Sequence, residues 1–167
     1  MNGGLKKYAL PGAAALLVII AAVVIFAVPR GDTAAADSGY AARNESGSVV
    51  ISASELSADQ ISFYKFAEDS KIELIAIRGA DGAAYAALGT CQSCNGSPNA
   101  YYTQNGDLLQ CNNCGLTFPL SIIGTDGAGC HPIMMDDSAV ARSGDDLVID
   151  AELLSAYEPL FTRVVEH

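Results

Sequence analysis

Residues 91–118 read CQSCNGSPNAYYTQNGDLLQCNNCGLTF, a stretch with two C-x2-C pairs separated by sixteen residues. This spacing is typical of a paired-knuckle metal site. Two thiols three positions apart on a tight turn can bind one ion, and a second turn placed opposite completes a tetrahedron of sulfur ligands that suits zinc or iron. The predicted ligands of this metal site are Cys91, Cys94, Cys111 and Cys114.

Two other uses of paired cysteines stay open beside the metal site. Cysteines of exported proteins are often joined as disulfides, and a single C-x-x-C within a βαβ pattern is typical of thiol–disulfide oxidoreductases. The motif occurs twice in this chain, without a βαβ pattern around it. A c-type haem attachment is excluded for both pairs, because Asn95 and Gly115 stand where that motif requires histidine.

The residues around the first cysteine pair predict short strands joined by hairpins. Residues 49–90 are rich in β-branched and aromatic side chains, and Asp81-Gly82 separates KIELIAIR from AAYAALGT. Asn105-Gly106 separates YYTQ from DLLQC, and both dipeptides are typical of hairpin turns. We expect the second hairpin to fold the second cysteine pair back towards the first.

The residues after the cysteine pairs predict more extended structure and one helix. LTFPLSII, residues 116–123, is typical of a buried strand or extended core segment, and LVI after Asp146 is a short strand. Asp150 can cap a helix of residues 151–158 that Pro159 would end. The predicted fold is therefore mainly β, a small β-rich α+β metal-knuckle domain, preceded by one N-terminal transmembrane helix.

Cys130 and His131 follow a glycine-rich loop and form a second candidate group. Thiolate and imidazole are ligands for copper, iron or zinc. Three functional interpretations are open: one of the two residues replaces a knuckle cysteine, both build a second site, or both lie beside the first site and tune it through a hydrogen bond to sulfur. The structural alternative is a buried free cysteine, with Met134 and Met135 as core filler.

The N-terminal segment predicts a membrane anchor. Residues 8–28 carry no charge, and twenty-one helical residues span about 31 Å, which matches the hydrocarbon core of a bilayer. Lys6 and Lys7 precede the segment, so positive-inside bias places the N-terminus in the cytoplasm and the following domain outside. The alternative is a signal peptide cleaved at the A-x-A sequence of residues 34–36.

These features divide the chain into three predicted parts. Residues 1–30 are the membrane anchor or signal peptide, and residues 31–48 are a linker rich in Ala, Ser, Gly and Asp. Residues 49–167 are the extracytoplasmic, cysteine-rich metal-binding domain. The expected location is the cell membrane, with a single pass.

The charge of the chain excludes one class of partner. The net charge is -10, and residues 37–167 carry six basic and eighteen acidic side chains, a net of -12. We expect no nucleic-acid partner, because phosphate binding needs clustered Lys and Arg. The chain has only two histidines, His131 and His167, and no nucleophile or zinc-protease motif. These observations favour a metal-binding or electron-transfer protein over an enzyme.

The order of the cysteine elements within about residues 60–135 resembles the FtrD-like membrane iron–sulfur family. The elements are C-x2-C, an aromatic pair with an Asn-Gly hairpin, CNNCGLTFPLSIIG and GAGCHPI. The resemblance implies a membrane anchor joined to an extracytoplasmic domain of this size, with Cys91, Cys94, Cys111, Cys114 and Cys130 as the family cysteines. It also implies a place beside iron-transport machinery, where such proteins are thought to pass or accept electrons. The family usually has Asn after its last cysteine, in a GGCNP-like turn, where this chain has His131.

The leading hypothesis is a membrane-anchored, outward-facing protein that carries single electrons on an iron–sulfur cluster or iron. Its expected partners are the membrane and an iron-transport or redox protein. One alternative is a structural zinc-ribbon-like interaction module, because cysteine spacing does not distinguish zinc from iron. Another alternative is a thiol- or copper-handling protein that uses Cys130, His131 and the methionines.

Overall fold

The computed structural model describes residues 39–40 and 42–167. The predicted anchor of residues 1–30, the alternative cleavage site and the first part of the predicted linker lie outside the described residues. In the part that is described, no helix is both long enough and apolar enough to span a bilayer. The division into anchor, linker and exported domain stays a prediction.

The described residues form three antiparallel sheets. The strands are β1 (Ala42–Arg43), β2 (Val49–Ile51), β3 (Ser62–Lys65), β4 (Glu73–Arg78), β5 (Ala84–Cys91), β6 (Tyr102–Asn105), β7 (Leu108–Cys111), β8 (Thr117–Pro119), β9 (Pro132–Ile133), β10 (Val140–Ser143) and β11 (Asp146–Ile149). The helical elements are α1 (Ala151–Ser155) and 3-10 turns at Ala53–Glu55, Leu120–Ile122 and Glu158–Leu160. The prediction of a mainly β domain is confirmed for this part of the chain.

The central sheet has the order β3-β4-β5-β9, and both of its faces are buried. Its β4–β5 hairpin turns at the predicted Asp81-Gly82 position, where Gly82 has φ +89°, a conformation that glycine adopts without strain. Because successive side chains of a strand point to opposite faces, Leu74 contributes to one hydrophobic cluster and Ile75 to another.

One face of the central sheet packs against a second sheet with the order β1-β2-β11-β10. The cluster between them is almost wholly aliphatic, with Ile51, Leu88 and Ile149 among its fully buried members. The helix α1 adds Leu154 to this cluster. We call it the aliphatic cluster.

The helix begins as predicted, but it is shorter than predicted. The Asp150 carboxylate accepts hydrogen bonds from the backbone N–H groups of Glu152 and Leu153, which makes it the N-cap. The helix of residues 151–158 was expected to continue to Pro159, whereas α1 ends at Ser155. The next N–H groups bond three residues back rather than four, so the chain tightens into 3-10 turns before Pro159.

The other face of the central sheet is covered by the three-stranded sheet β6-β7-β8. Its first hairpin turns at the predicted Asn105-Gly106 position, with β6 and β7 in register from Tyr102 opposite Cys111. Residues 116–123, expected to be one buried extended segment, divide into β8 and a 3-10 turn after Pro119. Only the second half of this segment is buried, through Leu120, Ile122 and Ile123.

Candidate metal centre

The first cysteine knuckle follows directly from the end of β5. Cys91 is the last residue of that strand, and its carbonyl accepts hydrogen bonds from the N–H groups of Cys94 (3.2 Å) and Asn95 (2.8 Å). Gly96 then has φ +87° and reverses the chain. This tight turn leaves Cys91 fully buried and Cys94 half-buried.

The second knuckle repeats this construction at the end of β7. Cys111 is the last residue of the strand, and the N–H group of Gly115 donates to its carbonyl at 2.8 Å. Gly115 has φ +74°, so its lack of a side chain permits the turn. Cys111 is buried and Cys114 is exposed, which gives each knuckle one inner and one outer thiol.

Backbone pairing and one side-chain contact bring the two knuckles together. Tyr101 forms an isolated antiparallel bridge with Thr90, and its carbonyl accepts the N–H group of Asn112 at 2.9 Å. The hydroxyl of Ser97 in the first knuckle loop donates to Asn113 Oδ1 in the second at 2.7 Å. The expectation that the Asn105-Gly106 hairpin folds the second pair towards the first agrees with this arrangement.

The five cysteine sulfurs lie in one cluster, and all five cysteines are free. The sulfurs of Cys91, Cys94 and Cys130 lie within 4.8 Å of one another, and so do those of Cys94, Cys111 and Cys114. Cys130 Sγ lies 3.2 Å from Cys114 Sγ and 3.9 Å from Cys94 Sγ. Each of these two groups could hold a metal ion, and Cys94 belongs to both. The group that contains Cys91 is completed by Cys130, not by Cys111 or Cys114.

Cys130 reaches the cluster because its loop is attached to both knuckle-bearing sheets. Pro132, two residues after Cys130, begins β9 and lies opposite Cys91 of β5. The hydroxyl of Tyr102 donates to the carbonyl of Cys130 at 2.5 Å, and the carbonyl of His131 accepts the N–H group of Gln92 at 2.9 Å. Two of these contacts hold the loop against the first knuckle, and the Tyr102 contact holds it against β6.

The His131 ring takes a different direction from the Cys130 thiol. It packs edge-to-face on Phe118, with ring centroids 5.3 Å apart, and its Nδ1 atom is buried without a hydrogen-bond partner. A Cβ atom at Gly127 would lie 1.7 Å from this nitrogen, so only glycine leaves room for the ring. Among the described residues, the groups of closely spaced metal-binding atoms include Cys130 and not His131. The role of His131 as a ligand stays a prediction.

The surroundings of the thiols shift their acidity in opposite directions. Burial raises the pKa of the Cys111 thiol to about 12. Burial also acts to raise the pKa of Cys91, but the nearby Tyr102 hydroxyl and the backbone N–H groups of Ser93 and Cys94 hold it below its ordinary value. The backbone N–H group of Leu116, followed by the Cys130 thiol, lowers the pKa of Cys114. Hydrogen-bond donors thus favour the thiolate form of Cys91 and Cys114, whereas burial disfavours it at Cys111.

Two further features of this region are the position of Tyr102 and the contact of His167 with Glu73, and the second has no signal in the sequence. Tyr102 is fully buried between the knuckles and the Cys130 loop, whereas a tyrosine beside cysteines is ordinarily a simple core residue. His167 Nε2 lies 2.7 Å from Glu73 Oε2, and its ring stacks on Phe63 at 3.8 Å. Glu73 and His167 are too far apart in sequence for any local pattern to join them.

The protein-family comparison agrees with the cysteine geometry. The model of a family described as "Membrane iron-sulfur containing protein FtrD-like" matches residues 43–161, well over half of the chain. The chain belongs to this family. The match contains both knuckles and Cys130, so the resemblance seen in the cysteine elements is confirmed. No curated protein and no solved structure matches the chain.

The residues of this FtrD-like chain fit the group that the family name implies. Iron–sulfur clusters are bound by cysteine thiolates, and the structure brings five free thiols together at the ends of two strands and one loop. The donor set contains sulfur alone, and zinc accepts the same ligands. The geometry therefore supports a metal site and leaves the identity of the metal open.

Proposed function

We propose that this protein is a membrane-anchored, extracytoplasmic iron–sulfur-type protein that carries single electrons beside iron-uptake machinery. The observation that supports it best is the cluster of five free thiols in a chain of the FtrD-like family. In this proposal Cys91, Cys94, Cys111 and Cys114 hold the metal group. When bound by thiolates, such a group accepts and releases one electron at a time.

The chain contributes shielding on one side of the group and access on the other. Cys91, Cys111 and Tyr102 are all fully buried, and all three belong to the same hydrophobic cluster. Low solvent exposure is one of the factors that set the reduction potential of such a centre. Cys114 is exposed, so it offers the shortest route for an electron between the centre and a partner.

The surface around Cys114 favours a weak, transient partner. Residues 91–135 contain no Lys, Arg or Glu, and their acidic residues are Asp107 and Asp126. Leu116, next to this knuckle, is 53% exposed. We propose that the acidic remainder of the domain attracts a cationic redox or iron-transport protein at long range, and that the nearly neutral face around Cys114 makes the close contact. Electron-transfer contacts of this kind are small.

The proposed location follows from the N-terminal segment. Residues 8–28 anchor the chain in the cell membrane in a single pass, and Lys6 and Lys7 keep its N-terminus in the cytoplasm. The metal domain then lies on the outer side, where iron is acquired. The family name supports a membrane association.

The test is the metal content of the full chain, produced and purified in detergent without oxygen. We expect iron, visible absorption that changes on reduction, and an electron paramagnetic resonance signal in one of the two redox states. Cys111→Ser should lose the colour, because it removes a buried ligand. Met135→Leu is the matched control, because this buried sulfur-containing side chain lies in the aliphatic cluster. A colourless protein without iron would refute the proposal.

A structural zinc module is the second candidate, and the compactness of the cluster supports it. Four sulfurs at 2.3 Å from one zinc ion lie about 3.8 Å apart, and the sulfurs of Cys94, Cys111 and Cys114 lie within 4.8 Å of one another. The same experiment decides between the candidates, since a zinc module would be colourless and would contain zinc in place of iron. A copper-handling role has less support, because Met135 packs in the aliphatic cluster, which leaves Met134 as the one of the two methionines on the cysteine side.

A further inference from the structure

The cluster contains more thiols than one tetrahedral ion uses. A zinc or iron ion with four sulfur ligands would leave one of the five free cysteines without a role. We call the two groups of three closely spaced sulfurs the triads: Cys91, Cys94 and Cys130 form one, and Cys94, Cys111 and Cys114 form the other. Cys130 is not a peripheral fifth member, because its sulfur belongs to the first triad and lies 3.2 Å from Cys114 Sγ in the second. We therefore expect all five sulfurs, and not four of them, to take part in metal binding.

The sulfur of Cys94 is common to both triads. It belongs to the triad with Cys91 and Cys130 and to the triad with Cys111 and Cys114. Every other cysteine sulfur consequently lies within 4.8 Å of Cys94 Sγ. A thiolate has several lone pairs, so one sulfur in this position can bind two ions at once.

Each triad has the dimensions of an ion site. An ion bound at 2.3 Å to three sulfurs, in their plane, needs sulfur–sulfur distances of about 4.0 Å. The triads have distances of at most 4.8 Å, so each sulfur would move by no more than about 0.5 Å towards an ion. Rotation about the cysteine side-chain torsions supplies such a shift without a change in the backbone.

The charge of the surroundings also favours two ions over one. Residues 91–135 contain no Lys or Arg. Arg163, from outside this segment, donates to the carbonyl of Pro98 in the first knuckle loop at 2.8 Å and brings one positive charge to that loop. Five thiolates carry five negative charges, and two divalent ions balance four of them. One divalent ion with four thiolates leaves two negative charges uncompensated at a half-buried site, and partly buried charge is costly.

We propose that the cysteine cluster binds two metal ions, one at Cys91, Cys94 and Cys130 and the other at Cys94, Cys111 and Cys114, with the Cys94 sulfur shared between them. Binding converts the thiols to thiolates and releases their protons to solvent. The inference rests on the metal-binding part of the proposed function and not on iron or on electron transfer.

The test counts cadmium ions on the full chain. The protein is purified in detergent without oxygen, stripped of metal, titrated with Cd²⁺ and desalted, and the bound metal is measured by elemental analysis. We expect two Cd²⁺ ions per chain and two ¹¹³Cd resonances, since the two sites differ in burial. Saturation at one Cd²⁺ ion per chain would overturn the proposal, even if iron and redox activity are found with the native metal.

Two variants locate the second ion. Cys130→Ser should reduce the count from two ions to one, held by the four knuckle cysteines. Met134→Leu is the matched control, because this side chain packs against the buried cluster that contains Cys91 and Cys111 and the swap conserves volume, so it should retain two ions. Two ions in folded Cys130→Ser would also overturn the assignment. The wild-type count decides the question by itself if that variant does not fold.

Discussion

The two faces of the central sheet are lined by different kinds of side chain. On one face the aliphatic cluster joins the central sheet to the β1-β2-β11-β10 sheet, with side chains such as Leu74, Ile149 and Leu154. On the other face the buried cluster contains Cys91, Cys111 and Tyr102 in addition to aliphatic side chains. The sulfur-lined face, as we call it, ends in three loops that meet at the thiols.

This difference predicts that burial stabilises one face, whereas metal binding contributes to the stability of the other. The aliphatic face needs no ion, because burial of each large apolar side chain contributes about 1.5–3 kcal/mol. The sulfur-lined face places five thiols next to one another, and neighbouring thiolates repel unless a cation lies between them. Metal should therefore matter to one face far more than to the other.

Removal of metal should have the largest effect and should distinguish the two faces most clearly. Structural zinc contributes about 10–16 kcal/mol in small zinc domains at neutral pH. After chelation of the full chain in detergent, we expect amide hydrogen exchange to accelerate strongly in residues 91–131. The amides of β4 and β11 should remain protected, because their pairing with β5 and β2 does not involve the knuckles. Equal loss of protection in both regions would show that the faces are not independent.

Truncation of a leucine in the aliphatic cluster should give the second largest effect. Leu74 is fully buried, so Leu74→Ala should lower the free energy of unfolding by about 2–5 kcal/mol. Urea titration followed by circular dichroism measures this change. Leu153→Ala is the matched control, because Leu153 is 43% exposed, and it should change stability little. The metal count of Leu74→Ala should equal that of the wild type, and a lower count would contradict the separation of the faces.

Removal of the Tyr102 hydroxyl should have a smaller effect that is confined to the sulfur-lined face. The hydroxyl donates to the carbonyl of Cys130, and an ordinary hydrogen bond contributes about 0.5–1.5 kcal/mol. Tyr102→Phe should destabilise the protein by about this amount and weaken metal binding, measured by competition with a chelator. Tyr157→Phe is a control on the aliphatic side, where the hydroxyl contacts Asp136. Unchanged metal affinity in Tyr102→Phe would mean that the Cys130 loop is positioned without this contact.

The pH dependence of stability should show the smallest effect, at Glu73. This carboxyl is 3% exposed and lies on the same strand face as Ile75. Burial raises its pKa, and the hydrogen bond from His167 opposes this only in part. The folded chain therefore keeps a proton on Glu73 at pH values where the unfolded chain has lost it, so stability falls as the pH rises from about 4.3 to the folded-state pKa.

Comparison with Glu73→Gln isolates this contribution. The amide does not ionise, so the wild-type free energy of unfolding should decline relative to that of Glu73→Gln across this pH range. Urea titrations of both proteins at closely spaced pH values measure the difference. A difference that does not change with pH, or that grows in favour of the wild type, would contradict the raised pKa.

The local parts of this structure could be predicted from the sequence. The Asp81-Gly82 and Asn105-Gly106 turns, the Asp150 cap and the two knuckles each depend on residues within a few positions of one another. The hairpin between the cysteine pairs also made their approach predictable, because its length fixes the register of β6 and β7.

The contacts between distant segments could not be predicted in the same way. Cys130 joins the cluster through the pairing of β9 with β5. The sequence alone was compatible with Cys130 as a metal ligand, as a residue beside the metal site or as a core residue. The contact of His167 with Glu73 joins two ends of the domain and has no periodic pattern. The early end of α1 at Ser155 depends on a tightening of the helix that propensities do not encode.

The most direct test of the account is X-ray absorption spectroscopy at the iron edge on the full chain, purified in detergent without oxygen. The account predicts a first shell of sulfur at about 2.3 Å and a second metal scatterer nearby. A first shell of oxygen and nitrogen, or an absence of iron from the protein, would contradict it.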